Sequence, residues 1–206
     1  MKHPDYEYDE IADKVFFPIY DRISDQIIER CGIREGRMLD IGSGGGHLGF
    51  AVMEKTQLEG HFGDIQPAAL EIAQVRAKER GLERRASFYE ADVHEMPFSD
   101  GFADLIISRG SYLFWKDQEK AFQEIYRVLA PGGKTYIGSG LGSAAQREEI
   151  HRKMDALYGG WESPKNKPNS ALTVEEYHAM FQRFGWDYEI VDDDEGCWFI
   201  IKKERP

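Results

Sequence analysis

Five short apolar runs that alternate with longer segments of helical periodicity constrain this chain more than any other feature. The runs are "RMLDI" from Arg37, "GHFGDI" from Gly60, "ASFYEA" from Ala86, "ADLIIS" from Ala103 and "GKTYIGS" from Gly133. Helical spacing occupies residues near 47–55, 67–80 and 117–129 between them. A strand, a helix and a further strand in succession imply a crossover connection, so the sheet is mostly parallel with helices on both faces. The chain end breaks this pattern. "WDYEIV", "DDDEG" and "CWFIIKK" predict an antiparallel hairpin with a polar turn. The expected fold is therefore α/β and Rossmann-like, a seven-stranded, mostly parallel sheet closed by a C-terminal antiparallel hairpin.

Local signals place the helix ends. Pro67 suits a first helical turn, because its missing N–H has no helical partner to lose there. "APGG" at 130–133 stops the helix that ends "IYRVL". Ser143 with Gln146, and Thr173 with Glu176, have the spacing of capping boxes that open two later helices. The first 30 residues carry Ile19, Ile23, Ile27 and Ile28 at helical spacing and predict one or two amphipathic helices. No repeat or low-complexity linker divides the chain. The expectation is one domain over 1–206, with 1–33 as a helical lid or cap. Tyr6, Tyr8, Phe16, Phe17 and Tyr20 serve that segment either as a lid or as a packing stripe, and the two are compatible.

Bulk properties exclude several function classes. A formal net charge of −11 over 206 residues repels polyphosphate, so neither nucleic acid nor an anionic membrane is an expected partner. Cys31 and Cys197 stand far apart, which argues against a disulfide framework and a thiolate zinc site. "DDDE" at 192–195 lacks the ligand spacing of a calcium loop and is expected to be a solvated turn. No metal is expected. "MKHPDYEYDE" has no apolar signal core, and the expected location is the cytoplasm.

The chemistry concentrates in "MLDIGSGGGHLG", residues 38–49. Gly44, Gly46 and Gly49 have the G-x-G-x-x-G spacing of a dinucleotide site, while Gly42, Gly44 and Gly46 equally satisfy G-x-G-x-G. Asp40 decides between them. A dinucleotide sets its pyrophosphate at this loop, where a carboxylate two residues before the first glycine would repel it. The carboxylate suits a ligand with an ammonium or sulfonium group. Asp64 lies 18 residues after Gly46, where a carboxylate accepts ribose hydroxyls. Asp92 ends the third apolar run, positioned to accept from an adenine amine. The loop itself contains no lysine or arginine. An adenosine with a cationic tail is the expected ligand.

These residues resemble a class I S-adenosylmethionine-dependent methyltransferase of the small-molecule type. "LDIGSGGG" resembles the family's first motif and "GDIQPAALEIAQ" its second. "EADVHEMPFSDGFADLIIS" is similar to the adenine-binding segment and following strand, and "FQEIYRVLAPGGKTYIG" to the helix, turn and fifth strand. The resemblance covers about residues 36–139. It implies that Asp40 and the loop residues Gly42, Ser43, Gly44 and Gly46 face the methionine portion of S-adenosylmethionine. Asp64 would bind the ribose hydroxyls, Asp92 with Val93 would border the adenine, and Ser108 would lie near the sulfonium. Ile65 and Ala91 complete the implied cofactor set.

Methyl transfer is an in-line displacement at a carbon its sulfonium already activates, so positioning and exclusion of water supply much of the catalysis. No catalytic acid or base is assigned. "SRGSYLFW", 108–115, departs from the commoner pattern of small or neutral residues after the serine. Arg109 there should meet an anion: a substrate acid, the donor's carboxylate or a protein aspartate. Tyr112, Phe114 and Trp115 either line an acceptor pocket or pack the core, and Tyr20 is a further substrate-side candidate. His47 is expected to begin a helix rather than act as a base. "GSGLGS", 138–143, either allows close approach of a substrate or turns the chain into a helix, and "WESPKNKPNS", 161–170, is expected to be a polar excursion near the substrate side or a simple solvent loop.

The expected function is methyl transfer to a small-molecule acceptor, acids included. Alternatives are a regulatory protein that binds S-adenosylmethionine or S-adenosylhomocysteine without turnover, and a nicotinamide-dependent oxidoreductase. Asp40 and Asp92 disfavour the last.

Overall fold

The computed structural model describes residues 9–159 and 172–205. Tyr6, Tyr8 and "WESPKNKPNS" lie outside the described residues. A π-helical turn, Ala12–Phe16, runs into helix α1, Phe17–Cys31. Gly32 ends that helix in the left-handed conformation, φ 71°, and donates its N–H to the Ile28 carbonyl at 3.0 Å. Strands β1, Arg37–Ile41, β2, Glu59–Asp64, and β3, Ala86–Glu90, alternate with helices α2, His47–Glu54, and α3, Pro67–Glu79. Strand β4, Ala103–Arg109, helix α4, Gln118–Val128, and strand β5, Leu129–Gly140, follow. Helices α5, Ala144–Tyr158, and α6, Val174–Phe184, precede the hairpin of β6, Asp187–Asp193, and β7, Gly196–Lys202.

The seven strands form one sheet in the order β3-β2-β1-β4-β5-β7-β6. The first five pair in parallel, and β7 runs antiparallel to both β5 and β6. Alternation along the strands divides the core into two layers. Leu105, Ile107, Trp198 and Ile200 face α1, α2 and α5 through Ile19, Ile23, Ile27, Phe50 and Met154. Ile106, Ile137, Phe199 and Ile201 face α4 and α6 through Phe122, Ile125, Tyr177 and Phe181. Helix α1 thus fills core against the middle of the sheet. Its Ile19, Ile23 and Ile27 are fully buried.

The sequence signals for helix ends correspond to observed caps. Pro67 opens α3, and the Ser143 and Thr173 boxes both form. The fifth strand differs from expectation. It starts at Leu129 rather than Gly133, and α4 passes into it without a glycine cap. Ala130 precedes Pro131 and so disfavours helix, while "APGG" becomes an irregularity opposite Asp104, between the pairs Ala103–Leu129 and Leu105–Lys134. The "DDDE" turn is held by its own backbone, with Asp193 Oδ1 accepting N–H groups of Glu195 at 2.8 Å and Gly196 at 3.2 Å. Glu195 is then gripped by α1, through Arg22 at 3.1 and 3.2 Å and through Gln26. Among the described residues no helix is long and apolar enough to cross a membrane.

Ile106 is fully buried at the centre of the sheet. Ile106→Ala should therefore lower stability by about 2–5 kcal/mol, and Ile106→Val by about 0.5–1.5 kcal/mol. Thermal unfolding checks this, and an unshifted melting temperature for the alanine variant would contradict the layer assignment.

Candidate functional site

Strands β1 and β4 are neighbours in the sheet but not in sequence, so the connections leaving their C-terminal ends part to opposite faces. A crevice opens at such a switch point. Here it is a cleft of about 420 Å³ including its mouth. Its floor is Asp40, the loop Gly42 to Gly45, His47 and Leu48, with Arg109 at one wall. Asp9, Ala12 and Tyr20 from the N-terminal helical segment line it from the other side.

The loop spends its donors internally. Gly42 and Ser43 donate their N–H groups to the Gly63 carbonyl at 2.8 and 3.2 Å, and Gly46 donates to the Ser43 carbonyl at 2.9 Å. Gly44 donates to Asp64 Oδ2 at 2.8 Å. A pyrophosphate needs such groups free, so this loop is a poor phosphate cradle. Gly42 has φ 63°, and a Cβ on it would stand 2.3 Å from Ser111 Oγ. The Ser43 hydroxyl oxygen is buried at the cleft and has no hydrogen-bond partner among the described residues.

Asp40 is 3% exposed, and its carboxylate accepts one N–H, from Gly49 at 3.1 Å. Burial pushes its pKa up to about 8, with the Asp64 charge adding to the effect and the Gly49 bond opposing it. Gly49, the third glycine of the dinucleotide-like spacing, is required by this contact. A Cβ there would lie 2.8 Å from Asp40 Oδ2 and 2.4 Å from the Phe62 ring. The spacing that imitates a dinucleotide fingerprint thus has another cause.

Asp64 ends β2 nearly buried and ties two elements together, through Gly44 and through the Gln66 N–H at 3.0 Å. Ile65 beside it is 62% exposed, an apolar surface at the sheet edge. Asp92 is half exposed and held by its own turn, accepting from the backbone N–H and ring Nδ1 of His94 at 2.9 and 2.5 Å. Those bonds hold its carboxyl below the usual carboxylate range. Ala91 is partly buried and Val93 buried on either side of it. The strand ends bring Asp40, Asp64 and Asp92 to one edge of the sheet.

The fourth strand distributes its last residues to opposite faces. Ser108 points inward: fully buried, its hydroxyl donates to the Ile41 carbonyl at 2.7 Å, and it does not line the cleft. Tyr112 is also core, packed edge-on against Tyr177 and Phe199, and does not line the cleft. Arg109 faces the cleft. Its Nε donates to the Gly140 carbonyl at 3.3 Å, and its guanidinium lies 4.8 Å from the Phe16 ring centre and 5.4 Å from that of Tyr20. Among the described residues no carboxylate pairs with it. Tyr20 also stacks on His47, ring centres 5.1 Å apart.

One network was not anticipated from the sequence. Arg76 of α3 grips Asp9 at 3.0 Å and Asp13 at 3.1 Å, and donates to the Gly45 carbonyl of the loop. His47 Nε2 meets Asp13 Oδ1 at 2.7 Å. Burial and the Arg76 charge hold the His47 pKa below its ordinary value, so the neutral ring donates to Asp13. His47 starts α2, as expected, and also latches the N-terminal segment. Aspartates at 9 and 13 have the i, i+4 spacing that puts both on one helix face, the signal by which they could have been found.

A family model described as "Methyltransferase domain" matches residues 34–185. The chain is 40% identical over 102 residues to demethylmenaquinone methyltransferase of Thermus thermophilus, covering 49% of this chain and 46% of that one. It is 32% identical over 177 residues to methyltransferase GfsG of Streptomyces halstedii, covering 85% and 62%. It thus spans about half the length of the curated relatives it matches. A solved Methanococcus maripaludis protein, described as an inferred S-adenosyl-L-methionine-dependent methyltransferase, superposes with a TM-score of 0.89. That pair is 38% identical, covering 98% of this chain and 93% of the other.

The Asp40 carboxyl sets a pH dependence in the ligand-free protein. Its pKa is 3.8 when unperturbed and about 8 in the fold, so the folded state holds the proton more tightly. The stability this contributes is complete below about pH 4, declines as pH rises, and is gone above about pH 8. Asp40→Asn removes the dependence. Its melting temperature should gain on the wild type steadily from pH 5 to pH 8, and parallel profiles would show that Asp40 does not titrate in this window.

Proposed function

Because the chain belongs to the methyltransferase domain family, we propose that it transfers the methyl group of S-adenosylmethionine to a small-molecule acceptor. The observation that carries this reading is the charge pattern of the cleft. A buried carboxyl group, which a cation ionises, stands where a dinucleotide would put phosphate, and the N–H groups of Gly42, Ser43, Gly44 and Gly46 are already bonded. Both features suit a nucleoside with a cationic tail. Ser43 Oγ, buried and without a partner among the described residues, supplies a hydroxyl for the tail's polar end.

In this reading Asp40 and the Gly42 to Gly45 backbone hold the methionine portion, Asp64 accepts from the ribose, and Asp92 with Ile65, Ala91 and Val93 borders the adenine. S-adenosylmethionine supplies an activated methyl carbon. The protein supplies position and dryness: Asp9, Ala12 and Tyr20 close the cleft from the N-terminal segment, which acts as a lid over residues 9–31. A cationic ligand draws Asp40 into its ionised form, so cofactor binding tightens as pH rises towards 8. An acid group on the acceptor has Arg109 to meet. Two separated cysteines and an acidic surface fit a reducing cytoplasm.

Calorimetry should give binding of S-adenosylmethionine and S-adenosylhomocysteine with little affinity for NAD; tight NAD binding with none for S-adenosylhomocysteine would overturn the proposal. Transfer of labelled methyl from S-adenosylmethionine into a metabolite mixture separates turnover from binding alone. Asp64→Ala should weaken S-adenosylhomocysteine by about 1.5–3 kcal/mol, the scale of hydrogen bonds to a charged acceptor. It should also lower the melting temperature, since Gly44 and Gln66 lose their tether. An unchanged dissociation constant would remove Asp64 from the cofactor.

A further inference from the structure

Resting on the reading of the cleft as the site of cofactor and acceptor, we propose that the slot around Arg109 is a carboxylate subsite walled by aromatic rings. Three observations carry it. Arg109 is half-buried at the cleft wall, yet among the described residues its polar contact is a single Nε bond to the Gly140 carbonyl. The two acidic residues that line the same cleft are engaged elsewhere, Asp9 with Arg76 and Asp40 with Gly49. The guanidinium is flanked by the rings of Phe16 and Tyr20, both buried, which restrict its motion.

A partly buried cation is costly unless an anion meets it, and ring faces compensate only in part. Tying Nε to a carbonyl leaves the Nη edge of the fork for a ligand. That edge matches a carboxylate with two parallel bonds, which fixes direction as well as charge. The walls come from the turn and first helix of the chain, whereas the arginine comes from β4. A carboxylate in the slot therefore binds both at once and draws the N-terminal segment down onto the ligand. The carboxylate has two sources: the acid group of the acceptor, or the methionine carboxylate of the cofactor.

Binding of benzoate and of benzamide, equal in shape and different in charge, tests the subsite by ligand-observed NMR titration. With the protein saturated in 5′-methylthioadenosine, which lacks the amino-acid tail, benzoate should bind about tenfold more tightly than benzamide. Arg109→Gln, with its melting temperature recorded, should abolish that preference. Saturation with S-adenosylhomocysteine then separates the sources. Retained benzoate binding assigns the slot to the acceptor, and exclusion of benzoate assigns it to the cofactor's own carboxylate. Equal binding of benzoate and benzamide to the wild type would overturn the proposal, as would a preference that survives in folded Arg109→Gln. Failure of both methylthioadenosine and S-adenosylhomocysteine to bind would instead sink the cofactor reading, and the benzoate–benzamide comparison on the protein alone would still judge the slot.

Discussion

The contact between the Asp40 carboxylate and the Gly49 N–H organises the site. A buried carboxylate with one protein donor is an expensive group, and the fold keeps it by pressing helix α2 against the end of β1. That contact demands a glycine at 49, which lets the Phe62 ring close over the helix. It also sets how the loop between Ile41 and His47 must turn. The loop in turn hangs from β2 through Gly63 and Asp64. Backbone geometry, charge and the shape of the cleft therefore follow from one acidic side chain at one strand end.

Electrostatics then distribute roles around the cleft. On the side of the N-terminal segment, Arg76 neutralises Asp9 and Asp13, while burial and the Arg76 charge together hold the His47 pKa down. On the β4 side, Arg109 has rings and a carbonyl as its partners among the described residues. The two arginines look alike in sequence and differ in what the fold gives them. One is a latch within the protein. The other keeps its fork for something that arrives.

Much of this was legible in the sequence, because strands, crossovers and caps are written in local pattern. The five parallel strands, the terminal hairpin, the Ser143 and Thr173 boxes and the strand-end aspartates all stand where periodicity and spacing put them. What was not legible is orientation. Ser108 and Arg109 are consecutive on a strand and so face opposite layers, but Leu105, Ile106 and Ile107 are apolar towards both, so the strand pattern does not say which layer holds the cleft. Tyr112 went to the core because its ring meets Tyr177 and Phe199 from elements far along the chain. The early start of β5 was hidden because "APGG" reads as a stop, whereas here it is accommodated as an irregularity within a strand. The Arg76 latch joins residues 63 and 67 positions apart, a separation that no local pattern reports.

The grip of Arg22 and Gln26 on Glu195 couples opposite ends of the chain's order. Helix α1 leaves the ribosome long before β7, yet its apolar stripe packs on Trp198 and Ile200. Until the hairpin exists, Ile19, Ile23 and Ile27 have only part of their surface to bury, and closing so long a loop is slow. The contacts of helix α1 with α2, β4 and β5 can form earlier, so the hairpin completes the seat of a helix that the rest of the sheet has already begun to cover.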